Sequence, residues 1–531
     1  MPIKLKLDSP IYILLFLISY FVSFSYFVEP RALETSMITY DYVYYQDLTA
    51  FNKIHKNNSW SSIFQFVGLL LKFDLSIIEI SRITLFISTL FFTCGIFLLA
   101  KSITSSTILS LLMAIITITI KKKFGHLEYP TQMFTEHING QLGLASLTLI
   151  FGLYSCRNYF LTFFLSTTLL SVHLVLGAWI NFVLLISILL FYKNSFNFLK
   201  KKEILLGVFL GLSITLISFI FFYANKLPYT SVFDPIAYKE YMTYWDDHRT
   251  GYGKLGVMEN GYIFKSVFLF LLIIFFLKLN YLKENWGLKL SLQTLAFSIF
   301  FSLCLYVSYH FFSDYYPSIL IRIMPNRFFL THSVLGYTVI FSLIYIIFKN
   351  LFIKLNFKKI NILLIFTTVL IFHSFQNLDN FKKRLNHFIE NPDLEKNKNN
   401  SAFWNEIKDY KVEGYFLTSR SSCSQTLIYA LKPVLICPQD FNVIPYLPKT
   451  AGLIKEIVEN VYNVPFNRPK YKNHGGLIDE EIRESFEKKT NNDWLNLKSK
   501  YKINALIVPK SWAINLVKKT TGSNFIFYVI E

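Results

Sequence analysis

Up to about residue 375 the chain alternates long, nearly uninterrupted apolar runs with short charged or tyrosine-rich stretches. Ile11–Val28, Ile83–Ala100, Leu205–Tyr223, Ile263–Leu277 and Leu292–Tyr309 each approach or reach the length a helix needs to cross a hydrocarbon core of roughly 30 Å. Read in order, the pattern predicts spans at 11–28, 83–100, 104–120, 141–156, 159–176, 177–193, 204–224, 263–278, 291–311, 332–349 and 360–375, about eleven in all. The segments 159–176 and 177–193 are nearly continuous and break around Gly177, so one of them can be a half-span.

Between the first two spans, Ser61–Phe73 carries Ile63, Phe64, Val67, Leu70 and Leu71 at helical spacing, which predicts an interfacial helix with that apolar face. From about residue 376 the pattern changes. Charges become frequent, and short β-type runs (Gly414–Thr418, Pro433–Ile436, Ala505–Val508, Phe525–Ile530) alternate with helical ones (Ser424–Leu431, Ala451–Tyr462, Ile478–Lys488, Asp493–Tyr501). Such alternation predicts a small soluble α/β domain over 376–531, with Pro438–Pro448 as a shaped loop. The expected fold is a polytopic α-helical membrane protein, 1–375, followed by that domain.

Orientation follows from lysine and arginine beside the spans. With the N-terminus inside, the short inner loops hold Lys101, Arg157, Lys193 with Lys200–Lys202, Lys278 with Lys283 and Lys289, and Lys349 with Lys354, Lys358 and Lys359. Lys121–Lys123 opposes this assignment, but the inner loops outvote it. Loops 29–82, 121–140, 225–262 and 312–331 then lie outside, as does everything after His373, so 376–531 is expected to be extracytoplasmic. The N-terminal Met-Pro-Ile-Lys-Leu-Lys leads into an apolar run without a small-x-small cleavage site, and reads as an uncleaved anchor in the cytoplasmic membrane.

Composition agrees with lipid as the solvent. Of 531 residues, 53% are hydrophobic and only 16% are charged, against about 25% charged in soluble chains. The net charge of +19 does not read as nucleic-acid binding: the lysines gather beside apolar runs, and no zinc-finger spacing or RNA-binding aromatic motif accompanies them. Cys94, Cys156 and Cys304 fall in or beside spans as apolar filler, whereas Cys423 and Cys437 can pair if the last domain is extracytoplasmic.

Candidate chemistry gathers on the side assigned as outer, where all ten histidines fall in loops or at span ends. The first outer loop holds Glu29, Glu34, Asp41 and Asp47 among Tyr40, Tyr42, Tyr44 and Tyr45; a carboxylate just above a bilayer can take a proton from a hydroxyl. An ordinary solvated loop fits the same residues. Tyr244-Trp245-Asp246-Asp247-His248-Arg249 can bind a divalent cation such as Mg²⁺ or Mn²⁺ through Asp246 and Asp247, or a phosphate through Arg249 with His248. A surface ion-pair turn is the bland alternative. Arg322 and Arg327, flanking Met324-Pro325-Asn326, suit a lipid phosphate or serve as interface anchors. His173 and Asn181 flank the Gly177 break, where the histidine either points into a cavity or, the favoured structural role, bonds a neighbouring carbonyl.

The layout resembles the GT-C superfamily, membrane glycosyltransferases that take sugars from polyprenyl-phosphate carriers. Glu29-Pro30-Arg31 stands where several members carry an acidic residue, Pro and Arg after the first span. Glu136-His137, Ser171-Val172-His173, Trp179 and Pro325-Asn326-Arg327 also look like uncharacterised bacterial membrane proteins of the same layout. The resemblance implies a general base at Asp41, with Glu29 and Asp47 behind it. It also implies that Arg249, Arg322 and Arg327, helped by His248, hold the carrier phosphate, with His137 and His173 near the substrate. The bilayer and a polyprenyl-phosphate sugar are the implied partners.

Other classes compete. A polysaccharide polymerase or ligase shares the spans but generally lacks a C-terminal α/β domain. A transporter should show related halves or mid-membrane charges, and the chain has neither. A non-catalytic protein of envelope assembly fits the sequence as well.

Overall fold

The computed structural model describes residues 9–24, 31–43, 45, 60–119, 122–124, 127–129, 138–225, 232–246, 260–278, 286–312, 315, 328–354, 402–411, 413–445, 447–470 and 476–531. In chain order the elements of the first part are α1 (Ser9–Phe24), α2 (Arg31–Thr39), α3 (Ser62–Lys72), α4 (Ile77–Thr104), α5 (Thr107–Thr119), β1 (Lys122–Phe124), β2 (Leu127–Tyr129), α6 (Ile138–Ser155), α7 (Tyr159–Val172), α8 (Leu174–Phe191), α9 (Ser195–Leu199), α10 (Lys202–Asn225), α11 (Pro235–Tyr244), α12 (Asn260–Lys278), α13 (Trp286–Phe312) and α14 (Phe328–Lys354). Each apolar segment expected up to residue 349 coincides with a helix; the segment 360–375 lies outside the described residues. Among the described residues, four helices are by themselves long and apolar enough to cross a membrane: Ile77–Thr104, Leu174–Phe191, Lys202–Ala224 and Trp286–Ser308.

Small residues and hydroxyls join these helices, as expected where burying apolar surface gives neighbouring helices little reason to associate. Gly95 of α4 and Gly152 of α6 face each other so closely that a Cβ on Gly152 would lie 2.6 Å from the Gly95 carbonyl oxygen. Gly207 and Gly211, one turn apart on α10, admit the backbone of α7; a Cβ on either would stand 2.5 Å from the Phe160 or Phe164 carbonyl oxygen respectively. Ser19 bonds Thr93 (3.2 Å), Ser187 bonds Thr294 (2.8 Å) and Thr215 donates to the Thr167 carbonyl (2.9 Å).

α7 and α8 form a helical hairpin with a one-residue connection. The break falls at His173 rather than at Gly177, because His173 takes an extended conformation as C-cap of one helix and N-cap of the next. Gly177 instead permits the close return, since a Cβ there would lie 2.5 Å from the Leu170 nitrogen. The Asn181 amide donates to the Ser166 and Gly177 carbonyls (2.7 and 2.8 Å) and accepts from the Ser166 hydroxyl, closing the hairpin.

The bundle has two distinct ends. At one, the Lys101 end of α4 meets the Cys156–Arg157 end of α6: the Cys156 thiol lies 3.8 Å from the Leu98 carbonyl. Tyr159, Tyr192, Phe198 and Trp286 pack together there, with the Lys201 ammonium 4.9 Å from the Phe198 ring centroid. Aromatic rings beside lysines suit an interface between lipid and water. At the other end, Leu75, Ile77, Ile83, Leu142 and Val172 pack against a second core, which contains α2, α3 and the C-terminal residues.

That C-terminal part comprises a helix at 402–409 (α15), β3 (Tyr415–Thr418), α16 (Cys423–Ile428), α17 (Ala451–Asn460), α18 (Asp479–Phe486), α19 (Asn491–Tyr501), β4 (Ile503–Pro509), β5 (Val517–Thr521) and β6 (Phe525–Val529). The sheet order is β3-β4-β6-β5, with β3 and β4 parallel and the other pairs antiparallel. The crossover from β3 to β4 carries α16 to α19, as parallel pairing demands. Two expectations change. Pro433–Ile436 contributes a single bridge, Phe416 to Val434, instead of a strand. Val517–Thr521 is a strand that period-2 patterning missed: it is an edge strand with exposed lysines, a common way to protect a sheet edge.

Candidate functional site

The end of the bundle that carries the C-terminal part is built from three distant stretches of chain. In α2, Ser36 donates to the Phe64 carbonyl (2.8 Å) and so ties this helix to α3. The Ser61 hydroxyl donates to the Val172 carbonyl (2.9 Å), and the Ser171 hydroxyl bonds Ser62 (3.0 Å), seating α3 on the tip of the α7–α8 hairpin. Gln65 reaches the Ser218 carbonyl of α10 (2.9 Å). The face Ile63, Phe64, Val67, Leu70, Leu71 is buried in protein rather than in an interface with lipid; Phe66, Leu69 and Phe73 form the exposed apolar side.

The C-terminal part sits on these elements through Tyr45 and Trp245, which lie in stretches that the sequence marks, and through Asp234 and Glu240, which it does not. Tyr45 donates from its hydroxyl to the Val434 carbonyl (3.2 Å), and its ring lies 6.0 Å from that of Tyr415. Trp245 is wholly buried, stacked on Phe466 with Phe441 at its edge, and its indole N–H donates to the Phe466 carbonyl (2.7 Å). Glu240 accepts from the Lys455 ammonium (2.7 Å). Asp234, the N-cap of α11, lies against Gly452, where a Cβ would come within 3.2 Å of the aspartate side chain. The local signal for Trp245 was its place in the Tyr244–Arg249 stretch; nothing in the sequence named its receptor.

The predicted site residues divide as follows. Asp41 is exposed and holds a left-handed conformation (φ 60°) just past the end of α2. A helix commonly ends on such a residue, and aspartate tolerates it better than most non-glycine side chains. Asp246 is 1% exposed, directly after the wholly buried Trp245, so the reading of this carboxylate as part of a surface turn is corrected. Glu34 of α2 is buried as well. His173 accepts at Nδ1 from the Leu176 amide (3.3 Å), a local structural bond to an amide N–H rather than to the neighbouring carbonyl expected of it. Glu29, Asp47, His137, Asp247, His248, Arg249, Arg322 and Arg327 lie outside the described residues.

Asp41 and Asp246 therefore stand at the same end of the bundle, on elements held by different faces of the C-terminal part: α2 touches α16, and α11 touches α17. Among the described residues, no three of His, Cys, Asp and Glu gather closely enough to hold a metal ion. Asp246 alone does not make the oxygen shell of a divalent cation. No protein-family model matches the chain, and no curated protein matches it.

Beside these elements Cys423 and Cys437 form a disulfide, with Cα atoms 5.6 Å apart. It links α16, which touches α2, to the segment that receives the Tyr45 hydroxyl.

Proposed function

We propose that this chain is a multi-pass protein of the cytoplasmic membrane with about eleven spans, and that it transfers a sugar from a polyprenyl-phosphate carrier to an acceptor on the outer face, in the manner of GT-C enzymes. The observation that carries the reading is the single core shared by the first loop, Trp245 and the C-terminal part, at the end opposite Lys101, Arg157 and Lys201. Under the positive-inside rule that end faces outward. The disulfide supports the same side, since such bonds persist in oxidising compartments.

In this reading the acceptor hydroxyl attacks the anomeric carbon in line, its proton passes to a carboxylate of the first loop, and the bond from carbon to carrier phosphate breaks with inversion. Asp41 is the first choice for the base, with Glu29 and Asp47 behind it. Arg249, Arg322 and Arg327, with His248, receive the phosphate charge. Because phosphate leaves readily, positioning and charge stabilisation supply most of the acceleration.

The test is sugar transfer by the purified protein in liposomes, from a panel of polyprenyl-phosphate sugars. Asp41→Gly is the informative variant: glycine accepts a φ of 60° without strain, so the fold stays and only the carboxylate goes. Transfer lost in Asp41→Gly and in Arg249→Ala supports the reading; unchanged rates remove those residues. Cysteines placed at 247 and 450 must label from the same, outer side.

A second reading, a non-catalytic protein of envelope assembly, draws on Asp41 itself, because ending α2 already accounts for that residue.

A further inference from the structure

α11 has two unlike sides. Ala237, Tyr241 and Trp245, spaced four residues apart, are fully buried on the side that meets α17 and the C-terminal core. At the start of the helix, Val232, Phe233 and Ile236 are apolar and exposed, Val232 at 87% and Ile236 at 66%. One turn beyond Ile236, the outward side continues with Lys239, which is exposed. The exposed aliphatic residues are thus at the end of the element nearest α10 in the chain, while the far end exposes Tyr244, an aromatic with a polar tip. Only the six residues 226–231 separate Asn225, the last residue of α10, from Val232, a reach of about 25 Å at full extension. α10 itself presents Leu205, Phe209, Leu216, Ile217, Ile220 and Tyr223 outward along its length, the surface expected of a helix bathed in acyl chains.

We propose that α11 lies in the headgroup region of the bilayer, with Val232, Phe233 and Ile236 inserted among the acyl chains and its opposite side carrying the C-terminal domain. The occupant of the apolar edge is lipid, because the edge follows within a few residues the end of α10, whose outward surface is apolar, and gives way to a lysine where a phosphate layer would begin. α3 has the same construction on the other approach, with Phe66, Leu69 and Phe73 exposed and the opposite side buried. The two helices then act as paired floats that set the height of the C-terminal domain above the membrane. The inference rests on the membrane placement of the bundle and is independent of sugar transfer.

The experiment places an environment-sensitive NBD fluorophore at Ile236→Cys and, separately, at Lys239→Cys. Cys94, Cys156 and Cys304 are replaced by alanine, and the Cys423–Cys437 bond is kept. The protein is reconstituted in phosphatidylethanolamine–phosphatidylglycerol vesicles with or without acyl-chain nitroxide lipids. The expected result is a blue-shifted probe at 236, quenched at least twofold more by nitroxide lipid than the probe at 239, and shielded from aqueous iodide. Quenching at 236 by iodide without quenching by lipid overturns the proposal. So does quenching by neither, which means protein covers the edge. Benzoyl-phenylalanine at Phe233 gives an independent reading in the otherwise native chain. Lipid adducts on irradiation support insertion, and crosslinks to peptides of 402–531 in their place exclude it.

Discussion

The indole N–H of Trp245 donates to the carbonyl of Phe466 across 2.7 Å, joining residues more than two hundred positions apart in the chain. The ring is stacked on the Phe466 side chain at 5.3 Å and closed on its edge by Phe441. A large aromatic with a satisfied polar atom, buried in a receptor made by another part of the chain, is the arrangement expected of an anchor.

Trp245→Ala should therefore loosen the C-terminal part from the bundle. Truncating a buried tryptophan costs about 3–5 kcal/mol, enough to raise the rate of limited proteolysis in 402–531 sharply while the apolar helices stay protected. Trp245→Phe keeps most of the packing and leaves the Phe466 carbonyl without its donor, at a cost of about 1–3 kcal/mol. The order wild type, Phe, Ala in protease resistance is the expected outcome; equal resistance in all three would remove the anchor.

Gly207 and Gly211 are expected to resist even small additions. A Cβ at either position meets backbone of α7 at 2.5 Å, and backbone cannot move aside as a side-chain tip can. Alanine at either site should cost about 1–3 kcal/mol by overpacking, and valine more. The measurement is the apparent melting temperature of detergent-solubilised protein, followed by fluorescence size-exclusion chromatography. A neutral Gly207→Val would mean that α7 and α10 do not approach in this way.

Reduction of Cys423–Cys437 should destabilise the C-terminal part without touching the bundle. The bond closes a loop of sequence separation 14, for which loop-closure entropy gives about 3 kcal/mol. Cys423→Ser with Cys437→Ser should unfold 402–531 at lower temperature, and dithiothreitol added to the unfolded wild type should remove the difference. Maleimide labelling after denaturation, with and without prior reduction, reports whether the bond forms in cells.

A pH effect is expected at the start of α19. The Thr490 hydroxyl and then its backbone N–H donate to Asp493 (2.7 and 2.8 Å), holding the carboxyl below the usual aspartate range. Its pKa is lower in the folded state than in the unfolded one. The stabilisation is therefore complete above the unfolded value, near 4, and is lost as pH falls through the folded value. The melting temperature of the C-terminal part should exceed that of Asp493→Asn at pH 7, and the gap should shrink steadily below about pH 4.

Periodicity exposed most of the helices, because apolar runs of helical length have few other uses. It was weaker where contacts between distant residues decide the outcome. Pro433–Ile436 has the composition of a strand, yet one bridge to β3 is all it makes, and the Val434 carbonyl, on the side away from β3, accepts from Tyr45 instead. Val517–Thr521 has lysines where a core strand would have apolar residues, and its place at the sheet edge explains them. For the candidate site, the sequence supplied the acidic loop and the Trp-Asp turn but not their common receptor. Spacing carries no information about Phe441, Phe466 or Lys455.

The sequence alone determined that this chain is a helical protein with segments long and apolar enough for a bilayer, that a domain of different character follows them, and which loops carry lysines. Those properties are local: each depends on residues within one turn or one span of each other. Only the tertiary structure decided that the first loop, the turn after α11 and the C-terminal sheet share a core, that His173 divides a helical hairpin, and that Asp246 is buried. Each of those outcomes depends on surfaces meeting across tens to hundreds of residues, where burial and hydrogen bonding with a distant partner outweigh what any short stretch prefers.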